Sequence, residues 1–161
     1  FKGVGKVRAI KIVAAMELGR RREAALVRKK PELANSEQCY RYLRPLLGDL
    51  LHEEFYLLAL NRANRLLASH LVSRGGVTGT VADAKTIFRA ALTHGSVTSL
   101  VLAHNHPSGQ AFPSQADIQL TRKLRDGARN LDLYVLDHLI VAGEGYYSFA
   151  DAGVLYPEEG E

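Results

Sequence analysis

Ser99-Leu100-Val101-Leu102-Ala103-His104-Asn105-His106-Pro107-Ser108-Gly109-Gln110-Ala111-Phe112-Pro113-Ser114-Gln115-Ala116-Asp117 begins as an apolar run, turns at Pro107, Gly109 and Pro113, and re-enters a helix at Ser114. The apolar run reads as a buried strand, and on an extended chain residues i and i+2 point to the same side. His104 and His106 can therefore converge on one ion, while Asn105 between them points to the opposite side and is placed to brace the loop. Asp117 sits one turn into the helix, where its carboxylate can swing back towards the histidines. Two imidazole nitrogens and one carboxylate oxygen leave a fourth tetrahedral position open, which is the layout of a catalytic rather than a structural zinc site. The same residues also read more plainly. Ser114 and Asp117 have the spacing of a helix capping box, and a His-x-His pair at a strand end need hold nothing.

Outward from this stretch the hydrophobic period sets the elements. Upstream, residues 53–60 read as an apolar strand, 61–64 as a turn and 65–73 as its hairpin partner. Arg74-Gly75-Gly76 is a loop, and a helix is expected from about 83 to 94, with Ile87, Phe88, Ala91 and Leu92 inward and Gly95 as its stop. The strand carrying the histidines spans 97–104. Downstream, a helix over about 114–130 turns Ile118, Leu120 or Thr121, Leu124 and Ala128 inward, and is followed by strands at 133–141 and 146–149. Strands alternating with helices predict an α/β fold, a mixed sheet flanked by helices in three layers. Residues 31–50 read as a linker and a short helix over 36–47 capped by Ser36, with Tyr40, Leu43 and Leu47 inward. The acidic tail, 158–161, reads as loose.

The chain has 161 residues and a formal net charge of +4, but the charge is uneven. Residues 1–30 hold ten Lys/Arg against Glu17 and Glu23, whereas the rest holds eleven basic and fifteen acidic residues. The basic character belongs to the N-terminal segment, and the part carrying the histidines is not built to grip a phosphate backbone alone. Gly3 and Gly5 suit a turn feeding a helix whose apolar positions, Val7, Ile10, Val13 or Ala14 and Leu18, recur at helical spacing. The single cysteine, Cys39, allows neither an internal disulfide nor a Cys-rich zinc ribbon and reads as a packing residue. No apolar run reaches membrane-spanning length, so a soluble, membrane-free protein is expected, and the single cysteine fits a reducing cytoplasm. A chain that opens at Phe1 with its sole methionine, Met16, inside a helical pattern is expected to be part of a longer protein. Its oligomeric state is not legible.

The conjunction His-x-His-Pro, then Ser-x-x-Asp, resembles the JAB/MPN (JAMM) metal-dependent hydrolases. The longer string His104-Asn105-His106-Pro107-Ser108-Gly109, with Asp137-His138 further on, resembles the RadC family within that group. The resemblance runs over residues 53–156, and the basic segment before it also looks like that family's N-terminal part, with Gly3-Val4-Gly5 similar to the second half of a helix-hairpin-helix. It departs at Asp83-Ala84-Lys85, where RadC-like chains carry Pro-Arg-Glu, a change that bears on any substrate or partner contact of that segment.

The resemblance implies a cytidine-deaminase-like three-layer fold, a zinc ion on His104, His106 and Asp117, and a glutamate base supplied by an upstream strand. Glu53 and Glu54 are the candidates; Glu53 with Phe55 matches the family's Glu-x-Phe pattern. It implies that Ser114 hydrogen-bonds the substrate carbonyl as it becomes an oxyanion, and that a zinc-activated water hydrolyses an amide or isopeptide bond. Asp137 and His138 can be supports of the site or an ordinary buried strand pair. His52, His70 and His94 lack spaced partners and read as surface or packing residues. The family's name implies DNA repair. Two other functions therefore stand beside a peptidase or isopeptidase: a metal-dependent DNA-processing factor, suggested by the basic residues 1–30, and a non-catalytic DNA-associated module that uses the JAB domain as a protein-binding platform. A dispersed HNH nuclease motif does not fit three contiguous residues, and a zinc deaminase would need Pro-Cys-x-x-Cys.

Overall fold

A computed structural model describes residues 5–26, 30–75 and 83–156, with the side chains of 22–26 left aside. The elements in order are α1 (Lys6–Leu26), α2 (Ser36–Leu47), β1 (Glu54–Leu60), β2 (Leu66–Arg74), α3 (Ala84–Leu92), β3 (Ser99–Asn105), α4 (Gln115–Arg129), β4 (Tyr134–Ala142) and β5 (Gly145–Ser148). Five strands form one sheet in the order β2-β1-β3-β4-β5. Only β3 and β4 run parallel, joined across the sheet by α4; the other neighbours are antiparallel. This is the mixed α/β sheet the alternating pattern predicts, with boundaries shifted by one or two residues.

Every residue of β3 is buried because helices cover both faces of the sheet at its centre. Strand alternation divides the core in two. Phe55 and Leu57 of β1 and Leu100 and Leu102 of β3 pack against Ile87 and Ala91 of α3 and Leu124 and Ala128 of α4. Leu58 and Leu60 of β1 and Val101 and Ala103 of β3 pack on the other face against Cys39, Leu43 and Leu47 of α2. Odd positions of β1 and even positions of β3 thus share the α3/α4 face, which is the face that receives His104.

Two expectations change. The short helix expected over 36–47 is present as α2, but the stretch is packed rather than a loose linker: Leu33, Cys39, Leu43 and Leu47 are 0–3% exposed, and Leu66 N–H donates to the Pro31 carbonyl. Burying each such leucine is worth about 1.5–3 kcal/mol, so α2 is a structural layer of the domain. Its N-cap is Asn35, whose side chain accepts from Gln38 N–H, while the Ser36 hydroxyl donates to Asp151 instead.

The basic segment is helical: α1 continues past Arg20 to Leu26, and Val7, Ile10, Val13 and Leu18 are all more than half exposed. Ile12 and Met16 are exposed as well, so apolar residues lie all round the helix and no single stripe is covered. Residues 1–4, with Gly3 of the expected turn, lie outside the described residues, as do 27–29, 76–82 and the tail from 157.

Candidate metal centre

The C-terminal end of β3 delivers His104, which is 4% exposed, and the chain leaves the sheet at His106 on the same side. The loop returns to start α4 with Ser114 as N-cap in extended backbone (φ −75°, ψ 166°). Its Oγ accepts from Asp117 N–H, while its own N–H and hydroxyl donate to Asp117 Oδ2 at 2.7 and 2.6 Å. This capping box pulls the Asp117 carboxylate back over the loop. Oδ1 comes within 3.2 Å of His104 Nε2, Oδ2 within 3.6 Å of His106 Nε2, and the two Nε2 atoms lie 3.0 Å apart. Among the described residues, His104, His106 and Asp117 form a group whose ligand atoms could share one metal ion.

The chemistry of these atoms suits a cation. His106 Nδ1 lies 2.8 Å from the Gln110 carbonyl, which can only accept. The Nδ1 therefore carries the proton, and a neutral His106 turns a lone pair to the centre. Burial opposes ionisation of Asp117, but His104, His106 and Ser114 around the carboxylate outweigh it and hold its pKa well below the usual range. Asp117 in turn raises the pKa of His106 against the effect of partial burial, helped by the Gln110 carbonyl and the charge of Glu53. Negative charge and imine lone pairs converge where a proton or a metal ion balances them, and the donor set of two imidazoles and one carboxylate fits a divalent metal.

The two glutamates separate by strand parity. Phe55 pairs with His104 across the antiparallel β1/β3 ladder, so Glu53, two residues earlier, lies on the ligand face and opposite His106 in the extended register. Glu54 lies on the other face. It is 3% exposed, and its carboxylate accepts from Arg74 Nε at 2.7 Å and meets His52 Nε2 at 2.9 Å. Asn105, also directed away from the ligands, braces β1 instead of its own loop. Its Oδ1 accepts from Glu54 N–H at 2.8 Å and its Nδ2 donates to the His52 carbonyl at 2.9 Å. The peptide groups on both sides of Glu53 are thereby tied to the residue between the two candidate ligand histidines.

A model of the RadC-like JAB domain matches residues 33–154. The chain belongs to this family. It is 44% identical over 154 residues to a UPF0758 protein of Flavobacterium johnsoniae, covering 96% of this chain and 67% of that one. To a UPF0758 protein of Porphyromonas gingivalis it is 40% identical over 156 residues, 96% and 68% of the two chains. To one of Methanosarcina mazei it is 34% identical over 151 residues, 94% and 66% of the two. The chain thus spans about two thirds of the length of these relatives.

Other polar residues of this RadC-like JAB domain fall into place around the triad. Asp137 faces α2, away from the ligands, and accepts from Ser148 Oγ, His138 N–H and Ala150 N–H; burial pushes its pKa up. His138 faces the ligands and lies 2.9 Å from His104 Nδ1. Burial, with His104 beside it, holds its pKa well below the ordinary histidine value. Thr121, left open against Leu120 as the inward residue, meets His138 on the far side at 2.6 Å. His70 and His94, expected to lack partners, face each other with Nε2 atoms 2.9 Å apart, because β2 and the end of α3 meet only in three dimensions. Cys39 is buried, and burial pushes its thiol up to about 12, as suits a packing residue. Asp83 caps α3 by accepting from Lys85 N–H and Thr86 N–H, a use for the departure at this position. A cleft of about 170 Å³ runs beside His106 between Leu47, Leu51, Pro107 and Gly143. Among the described residues no helix is long and apolar enough to cross a membrane.

Proposed function

We propose that this chain is a zinc-dependent hydrolase of amide bonds, a peptidase or isopeptidase, acting in a cytoplasm whose reducing conditions suit its lone cysteine. The carrying observation is the convergence of His104 Nε2, His106 Nε2 and an Asp117 oxygen, with Glu53 on the same face of the sheet. Once held by these three residues, zinc supplies a Lewis acid that brings the pKa of a water to about 7. Glu53 takes a proton from the attacking water and passes it to the leaving amine as the C–N bond breaks. Ser114, exposed at the helix start, turns its hydroxyl from Asp117 to the carbonyl oxygen that gains negative charge. Asn105 holds the backbone of Glu53, and the cleft beside His106 receives the substrate chain.

The test separates metal binding from chemistry. Glu53→Gln should keep its zinc by elemental analysis and lower peptide or isopeptide turnover by about 10²–10⁴-fold, while His106→Ala should lose the metal. Full activity in Glu53→Gln would remove Glu53 from the mechanism. A second reading, DNA contact through residues 1–30, is favoured by the exposed Lys6, Lys11 and Arg21 along α1. It concerns a different part of the chain and is compatible with the first.

A further inference from the structure

We infer that His138 is a positioning residue that fixes the tautomer of His104 and locks the β3 and α4 ligands to each other. The inference rests on the metal-centre reading above. Thr121 Oγ lies 2.6 Å from the main-chain carbonyl of Asp117 and 2.6 Å from His138 Nδ1. A carbonyl can only accept, so the single hydroxyl proton of Thr121 lies in the first contact. The proton in the second contact must then belong to His138 Nδ1, which donates to the threonine oxygen.

In a neutral ring, a proton on Nδ1 leaves only a lone pair on Nε2. That lone pair meets His104 Nδ1 at 2.9 Å, so His104 donates from Nδ1. The remaining nitrogen of His104, Nε2, turns its lone pair to the metal position. The opposite tautomer of His104 would aim an N–H at the ion. One hydroxyl proton on α4 thus propagates through two rings to the ligand atom.

The relay also closes on itself. Asp117 is a ligand, its backbone carbonyl holds Thr121, Thr121 holds His138, and His138 holds the other ligand, His104. His138 has no freedom to turn away: it is 0% exposed, stacked on Phe149 at 5.0 Å between ring centres, with Phe55 at 5.5 Å on another side. Partners that hold the second nitrogen of a metal-bound histidine typically contribute 10–100-fold in metal affinity.

The test uses zinc competition against a chelator and histidine tautomers read by long-range nitrogen–proton NMR on the metal-free chain under mildly alkaline conditions. Wild type should show Nδ1–H on both His104 and His138; Nε2–H on either overturns the inference. His138→Phe keeps a ring but no acceptor and should weaken zinc binding about 10–100-fold. His138→Gln, whose amide can accept from His104 and donate to Thr121, should recover part of that loss. Thr121→Val, which keeps the packing, should release the tautomer of His138 and weaken zinc several-fold, and it decides the matter if His138→Phe fails to fold. Wild-type affinity in either folded variant, or a Gln variant as weak as the Phe variant, overturns the relay while the triad stands. A wild-type chain that takes up no zinc overturns the metal centre itself.

Discussion

Replacing Asn105 by alanine isolates the link between the ligand strand and Glu53. Asn105 is 2% exposed and makes two hydrogen bonds to the backbone of β1, accepting from Glu54 N–H and donating to the His52 carbonyl. Truncation orphans both backbone groups, each at about 1–3 kcal/mol when buried. Glu54 is 3% exposed, so its N–H loses near the upper end. The His52 side chain is 41% exposed, and water reaching its carbonyl brings that loss to the lower end. The sum is a destabilisation of about 3–4 kcal/mol, measured by urea unfolding of the metal-free chain so that metal loss does not enter. Zinc content should be unchanged, because Asn105 points away from both histidines, whereas turnover should fall as Glu53 loses its tether. Asn105→Asp should do no better than alanine: it keeps the acceptor but sets a carboxylate oxygen against the His52 carbonyl and a second charge beside buried Glu54. A loss below about 1 kcal/mol in Asn105→Ala, with turnover intact, would refute the clamp.

Two further outcomes test the periphery. Deleting residues 1–30 should leave the domain folded, since the core residues of both sheet faces lie beyond them; it should abolish DNA binding and its salt dependence in fluorescence anisotropy, and binding that survives would move the contact into the domain. The pKa of His70 is lowered from 6.5 by burial and then by the charge of His94. Between the folded value and 6.5 the unfolded chain binds the extra proton, so His70 makes stability fall as pH drops below 6.5. His70→Gln should flatten this part of the pH–stability curve in urea titrations, and an unchanged slope would discard the assignment.

The parts of the site legible in the sequence are the local ones. His104, His106, Ser114 and Asp117 lie within one strand–loop–helix turn, where strand alternation and helix-start spacing suffice to bring them together. Contacts across the sheet were not legible. Thr121 meets His138 only because α4 crosses from β3 to β4, and the facing of His138 depends on a register shift at Leu136, where β3 residues Leu100 and Val101 pair with Val135 and Asp137. That shift puts Val135 and His138 on one face, against the plain two-residue period. Apolar spacing in α1 marks a helix, but only a neighbour can cover its apolar residues. The pattern in α2 was the same kind of signal, and there the sheet supplied the cover.

Glu53 and Glu54 are adjacent, so sequence alone could say only that they face opposite ways; the pairing of Phe55 with His104 assigns the faces. Ser114 and Asp117 posed a different choice, between a helix cap and a metal site, and the geometry is compatible with both at once. The carboxylate has two oxygens, and they divide the work. Oδ2 takes both Ser114 donors and completes the cap, while Oδ1 is the oxygen nearer His104. If the Ser114 hydroxyl turns to a substrate as proposed, its backbone N–H, 2.7 Å from Oδ2, still holds the carboxylate. On that proposal the cap keeps Asp117 oriented during the step that borrows the hydroxyl, so that one helix-start serine would serve both tasks.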